Sequence, residues 1–193
     1  MDIILASTSP YRRALLERLQ FDFRCIAPDV DEEPVPGESP CDLAQRLSRA
    51  KAHTVAELHP NALVIGSDQV ASIDDRKIGK PGNFEAAKAQ LQLSSGRDVQ
   101  FYTGVALACR ARGLERFHVE PFNVRFRILS EAQITQYLER EQPYDCAGSF
   151  KVEGLGIALF EQMVGNDPTS LEGLPLIKLT ELLAAAGLDI LAR

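Results

Sequence analysis

Long apolar runs are missing from this chain: no stretch approaches ~18 uninterrupted apolar residues, so no membrane-spanning helix is expected. The amino terminus, MDIILAST, has an acid at position 2 and lacks the basic start and extended apolar stretch of a signal peptide. Runs of lysine and arginine are missing as well. Basic side chains number 21 against 27 acidic ones, a formal charge of −6, so no nucleic-acid polymer and no membrane surface is expected as a partner. One small anionic ligand remains compatible, because it needs only a local basic pocket. The four cysteines, Cys25, Cys41, Cys109 and Cys146, contain no C-x-x-C pair, which argues against a zinc site and a disulfide framework. They are expected to be reduced, mostly buried thiols of a cytoplasmic protein. No Ser-His-Asp arrangement is suggested, and His53, His59 and His118 read as structural.

What is present is an ordinary globular composition, 45% hydrophobic and 25% charged over 193 residues, which excludes extensive disorder. The length predicts one domain, residues 1–193, or a tight pair of lobes. Ile3-Ile4-Leu5-Ala6 has the apolar continuity of a buried strand. Ser7-Thr8-Ser9-Pro10 follows, with Ser9 as N-cap and Pro10 at the first helical position, and Tyr11, Leu15 and Leu19 then recur at helical spacing. A strand is expected over 21–27, then an acidic, proline-rich loop over 28–37. Ser39-Pro40-Cys41-Asp42 caps a long helix whose buried side is marked by Leu43, Leu47, Ala50 and Leu58. Ala62 to Gly66 predicts a buried strand that ends in Ser67-Asp68-Gln69-Val70. Asp74-Asp75 predicts a hairpin turn, and Gly79-Lys80-Pro81-Gly82 a loop. A helix capped by Asn83 follows, then two long strands over 99–109 and 114–128. Ser130 and Gln133 form a capping box, residues 148–160 read as loop and strand, and Gly173-Leu174-Pro175 opens a last helix. Strands and helices intermix throughout, so the class is α/β with a mixed sheet.

Four segments carry chemistry. Ser7 to Arg13 offers unpaired backbone N–H groups at a helix start, with Arg12 and Arg13 as planar, permanently charged donors suited to phosphate. Alone, the pattern fits a plain N-cap with two solvated arginines equally well. Asp68 follows a hydrophobic strand, where α/β proteins place ligands, and Asp31 and Glu32 sit in the acidic loop. Convergent carboxylates could hold a hard divalent cation, although loop acids are more often plain surface charge. Lys80, between Gly79 and Pro81, could aim an ammonium at a phosphate or simply be solvated. In Cys146 to Gly154, Lys151 and Glu153 would share a face if the segment were extended, and Glu153 could accept hydrogen bonds from a base edge. A tight turn with exposed charges is the alternative there.

Taken in order, these segments resemble the Maf family of nucleoside triphosphate pyrophosphatases. The resemblance covers most of the chain: Ser7-Thr8-Ser9-Pro10 with Arg12-Arg13, Asp31-Glu32, Arg46, Lys51, Ser67-Asp68-Gln69, Gly79-Lys80-Pro81, Ser95-Gly96, Thr103-Gly104, Ala147-Gly148-Ser149, Glu153-Gly154 and Gly173-Leu174-Pro175. It implies an elongated α/β fold resembling inosine triphosphatase, with a curved mixed sheet flanked by helices and two lobes with a cleft between them. It also implies a divalent cation (Mg²⁺ or Mn²⁺), a homodimer, and cleavage between the α- and β-phosphates of a nucleotide. By motif, Asp68 is the catalytic acid/base, Glu32 a metal or water partner and Lys80 a catalytic cation. Ser7, Arg12, Arg13 and Lys51 match substrate-binding positions. Tyr11, Gln69 and Glu153 look like the branch acting on 7-methyl-GTP, in which Trp is usual at position 11. A methylated, cationic guanine gains a cation–π term of about 0.5–2 kcal/mol over an aromatic face, and a carboxylate can accept from its N1–H and exocyclic amine. The dTTP/UTP branch and a non-catalytic nucleotide-binding regulator of cell division are the other readings. The loop Gly165 to Ser170, where Ser170 departs from the family's usual amide, is left out of the expected site.

Overall fold

The computed structural model describes residues 2–192. Among the described residues seven strands and five α-helices are interspersed, confirming the mixed α/β class. The strands are β1 (Ile3–Ala6), β2 (Arg24–Ile26), β3 (Leu63–Ile73), β4 (Arg76–Ile78), β5 (Asp98–Cys109), β6 (Leu114–Phe126) and β7 (Phe160–Gly165). The helices are α1 (Pro10–Glu17), α2 (Pro40–Leu58), α3 (Phe84–Ser94), α4 (Glu131–Glu141) and α5 (Leu176–Ala185). Strand order is β2-β1-β3-β5-β6-β7, with β4 on β3. β1 is parallel to β2 and β3, whereas the β3–β4 and β6–β7 pairs are antiparallel. Among the described residues no helix is long and apolar enough to cross a membrane.

The chain gathers into two compact units. One takes the N-terminal part through Gln69, Thr103–Glu120 and the chain from Asp167 onward; the other takes Val70–Tyr102 and Pro121–Asn166. In the first unit, alternation along the strands divides the apolar residues between two faces. Ile3, Leu5, Leu63, Ile65, Val105 and Leu107 pack with Leu15 and Leu16 of α1 and Leu179 and Leu183 of α5. Ile4, Ala6, Val64, Ala106 and Ala108 face Ala52, Val55 and Ala56 of α2. This second face is built of small groups because α2 lies close to the sheet. A Cβ at Gly66 would stand 2.2 Å from the Ser48 carbonyl oxygen, and one at Gly104 2.4 Å from that of Ala44. The second unit is organised around edge-to-face phenylalanines: Phe150 has ring centroids 5.3, 5.8 and 4.8 Å from Phe101, Phe126 and Phe160.

Several sequence expectations are corrected. The second strand is confined to Arg24–Ile26, because Phe21 and Phe23 turn into the first core before the chain meets β1. On α2, Leu43 and Leu47 are buried as expected, but Leu58 is 71% exposed and the small residues face the sheet, with Lys51 among the buried positions. β3 runs on to Ile73, so Ser67, Asp68 and Gln69 are strand residues; the strand that ends beside them is β1, whose Ala6 pairs with Gly66. Residues 148–160 hold two short 3-10 segments, and β7 begins at Phe160. Only Cys109 is fully buried, though all four cysteines are free thiols. The Asp74-Asp75 turn forms as expected, with both residues at positive φ.

Candidate active site

The loop from β1 into α1 is held by its serines. Ser9 donates its N–H to Ser7 Oγ (3.1 Å), and Ser9 Oγ accepts from the N–H of Arg12 (3.3 Å) as the helix N-cap. No acid lies in the first turn to oppose the helix dipole. The two adjacent arginines part ways here. Arg12 donates Nε–H to the Gly173 carbonyl at 2.9 Å. Burial pulls its pKa down, while Asp68 and Glu32 act in the opposite direction. Its terminal nitrogens have no protein acceptor among the described residues. Arg13 instead pairs with Glu17 at 3.0 Å on the surface, one turn along the same helix.

Pleating of β3 places Ser67 and Gln69 on one side and Asp68 on the other. Asp68 is buried, and its Oδ1 lies 2.7 Å from Nζ of Lys51, itself buried on α2. The close approach of α2 permitted by Gly66 and Gly104 is what delivers this lysine. The same Nζ is 2.7 Å from Oε1 of Glu32, whose side chain keeps 59% exposure. The acidic loop reaches this position because it is tied at both flanks. Arg46 forks onto Glu38 (2.7 and 3.0 Å) and donates to the Glu33 carbonyl (3.0 Å), while the Glu33 N–H donates to Asp31 Oδ1 (3.0 Å). Glu32, Lys51 and Asp68 thus meet at one ammonium, with Arg12 within their field.

Opposite Asp68, the loop through Ser170, which lies outside the expected site, forms part of the same surroundings as Gln69. Gln69 Nε2 donates to the Ser170 carbonyl (2.7 Å), and the Leu171 carbonyl and Thr103 Oγ1, each at 3.2 Å, share its second N–H. Ser67 Oγ lies 2.9 Å from the Gly173 carbonyl that also accepts from Arg12. The contacts run through backbone carbonyls, so the identity of residue 170 carried no signal. The alternation of polar Ser67 and Gln69 about Asp68 was the legible hint.

Tyr11 is half-buried in the first turn of α1. On the second unit, Lys80 is exposed in the loop before α3 with no ion-pair partner among the described residues. Glu153 is exposed in a turn rather than an extended segment, so it does not alternate onto a face with Lys151. Lys151 donates Nζ–H to the Glu141 carbonyl at the end of α4 (3.1 Å) and its N–H to Tyr137 Oη (3.0 Å). Burial pushes the Tyr137 hydroxyl pKa well above its ordinary value.

Among the described residues no group of three or more His, Cys, Asp or Glu side chains could hold a metal ion by itself. Glu32 and Asp68 are two hard oxygen donors that already converge on one cation, the Lys51 ammonium. That set fits Mg²⁺, which typically takes one or two carboxylates and completes its shell with water and substrate phosphates.

Residues 2–186 match the family model described as Maf-like protein. A 7-methyl-GTP pyrophosphatase of Nitrosococcus oceani is 54% identical over 189 residues, covering 98% of this chain and 95% of that one. Another, from a Polaromonas species, is 52% identical over 190 residues, covering 98% and 87%. Among solved structures, a HAM1 protein from Coxiella burnetii gives a TM-score of 0.54 at 16% identity over 96% of this chain and 99% of that one, a likeness of fold.

Proposed function

The chain belongs to the Maf-like protein family, and from that premise we propose that it hydrolyses 7-methyl-GTP to 7-methyl-GMP and diphosphate with the help of a divalent cation. The observation that carries the proposal is the meeting of Glu32 and Asp68 at Lys51 Nζ, 2.7 Å from each, beside Arg12, whose guanidinium end has no acceptor among the described residues. The relatives named 7-methyl-GTP pyrophosphatase, together with Tyr11, Gln69 and Glu153, direct the substrate choice.

A cation held by Glu32 and Asp68 would neutralise phosphate charge and acidify a water. Asp68 takes a proton from the attacking water, whose oxygen bonds to the α-phosphorus as the bond from that phosphorus to the α–β bridging oxygen breaks. The bridging oxygen leaves with diphosphate. Arg12 binds phosphate oxygens through its two terminal nitrogens, and the Ser7–Ser9 turn supplies the dipole end that favours them. Lys51 holds the two carboxylates against their mutual repulsion. By motif, Lys80 serves the phosphate tail, and Tyr11 and Glu153 read the base; Arg13, matched by motif to the same tail, is drawn off it by its surface pair with Glu17. The active protein is proposed to be a cytoplasmic homodimer.

Comparing kcat/KM for 7-methyl-GTP, GTP, dTTP and UTP with Mg²⁺ or Mn²⁺ tests this reading. The methylated nucleotide is expected to lead, and a preference for dTTP or UTP moves the chain to the other branch. Asp68→Asn is expected to reduce turnover by roughly 10²–10⁴-fold while the protein stays folded. Absence of metal-dependent diphosphate release from all four nucleotides favours a non-catalytic nucleotide-binding regulator.

A further inference from the structure

The Ser170 carbonyl accepts from three donors: Gln69 Nε2 at 2.7 Å, Thr103 Oγ1 at 2.9 Å and the Gly173 N–H at 3.0 Å. A carbonyl has two lone pairs, so three converging donors mark a backbone atom held in place from several directions. Three residues on, the Gly173 carbonyl accepts from Arg12 Nε at 2.9 Å, and Ser67 Oγ lies between this carbonyl (2.9 Å) and that of Gly104 (2.7 Å), sharing one proton between them. The segment between them is fixed from its other end as well. Asp167, 1% exposed, accepts from Thr169 N–H (3.0 Å), Thr169 Oγ1 (2.6 Å) and the Ile177 N–H of α5 (2.7 Å). Arg18 reaches Glu172 at 2.7 Å from the end of α1.

We propose that residues 167–173 form a positioning belt for the phosphate-binding arginine, in which Gln69 and Thr103 fix the Ser170 carbonyl, and through Gly173 fix Arg12. The belt occupies Nε of the guanidinium with a rigid backbone acceptor and leaves the fork of terminal nitrogens to the ligand. An arginine side chain loses rotamer freedom when a ligand fixes it, and anchoring Nε removes part of that loss before a phosphate arrives. Gln69 accordingly acts on the reaction through the backbone: the two N–H groups of its amide are taken up by the Ser170 carbonyl at 2.7 Å and by the Leu171 carbonyl and Thr103 Oγ1, both at 3.2 Å. Gln69 and Thr103 are positioning residues, since neither needs to touch substrate for this role.

The proposal rests on Arg12 binding phosphate, as in the function proposed above, and its test avoids the base altogether by using inorganic tripolyphosphate as probe. Tripolyphosphate affinity is measured calorimetrically for the wild type, Thr103→Val and Gln69→Met, and for the same two changes in an Arg12→Ala background. Each belt change is expected to weaken binding about 5-fold when Arg12 is present and less than about 2-fold when it is absent, a coupling of the size seen between residues of one network. Thr103→Ser, which keeps the hydroxyl, is expected to restore binding. Equal losses in both backgrounds, no loss in either, or a wild type that does not bind tripolyphosphate overturns the belt. A wild type that binds tripolyphosphate with the expected coupling but releases no diphosphate from nucleotides leaves the belt standing and removes the proposed hydrolase activity. Should Gln69→Met fail to fold, the Thr103 pair, Val against Ser, decides alone.

Discussion

The helices α1 and α2 begin with the same two letters, Ser-Pro, and use them in the same way. Ser9 accepts from the Arg12 N–H and Ser39 from the Asp42 N–H. From there the two starts diverge. α2 carries Asp42 in its first turn, hydrogen-bonded to Ser39 Oγ at 2.6 Å, so the positive end of its dipole is met by a carboxylate of its own. α1 has no acid there and carries Arg12 and Arg13 instead, positive charge at a positive helix end, which is locally unfavourable. Identical capping grammar thus serves two ends. One start is electrostatically closed and stabilises a long helix; the other is left open, compensated by Glu32 and Asp68 and suited to an anion. α2 makes its contribution to the site two and a half turns later, through Lys51.

The sharpest way to break this contrast is to remove the cation that α2 supplies. Lys51→Met leaves Asp68 buried without its partner and is expected to lower unfolding free energy by roughly 3 kcal/mol as well as to abolish turnover. Adding Asp68→Asn to that variant is expected to recover part of the stability, measured by denaturant unfolding, but none of the activity. Next in size is the arginine pair. Arg12→Ala is expected to raise KM by about 10-fold or more through loss of charge-assisted phosphate hydrogen bonds. Arg13→Ala, which breaks only an exposed pair, is expected to change stability by well under about 1 kcal/mol and KM by less than about 2-fold, the lost exposed charge being largely screened by solvent. Equal effects at both positions break the assignment of the ligand role to Arg12.

The two caps make a finer test. Ser9→Ala and Ser39→Ala are each expected to cost about 1 kcal/mol of stability, yet only Ser9→Ala is expected to raise KM, because only that start faces the ligand. The smallest effect belongs to the outer face of α2. There Arg49 (2.7 Å) and His53 (2.9 Å) bond Glu115 and hold its carboxyl below its ordinary pKa. A depressed carboxyl stabilises the fold above the unfolded-state pKa and loses that contribution as pH falls through the lower folded value. Glu115→Gln is therefore expected to cost a fraction of about 1 kcal/mol near pH 7, and progressively less below about pH 4, read from melting temperatures across that range.

Local signals were legible wherever a residue's role is settled by its immediate neighbours. Both Ser-Pro caps, the Ser130–Gln133 capping box and the Asp74-Asp75 turn were readable because a cap or turn closes within a few residues. Lys51 was not readable as a buried residue from helical spacing, since its burial depends on Gly66 of β3 and Gly104 of β5. Asp68 looked like the end of its own strand because the apolar run stops there. The strand continues, and what ends is the neighbouring β1. The belt at 167–173 was invisible because its contacts are made by carbonyls, which every residue carries.

By itself, the sequence determined the alternation of elements, their caps and the kinds of chemical group available: two arginines at an unquenched helix start, an acidic loop, a lysine and a strand aspartate. Only the tertiary structure decided which of them meet. Arg12 and Arg13 are neighbours in the chain but leave the helix about 100° apart, so one reaches a backbone carbonyl 161 residues away and the other a surface glutamate. Glu32 and Asp68 become a pair through an ammonium on a third element. Chain order fixes what a residue can do, whereas close packing of α2 on the sheet fixes what it does it with.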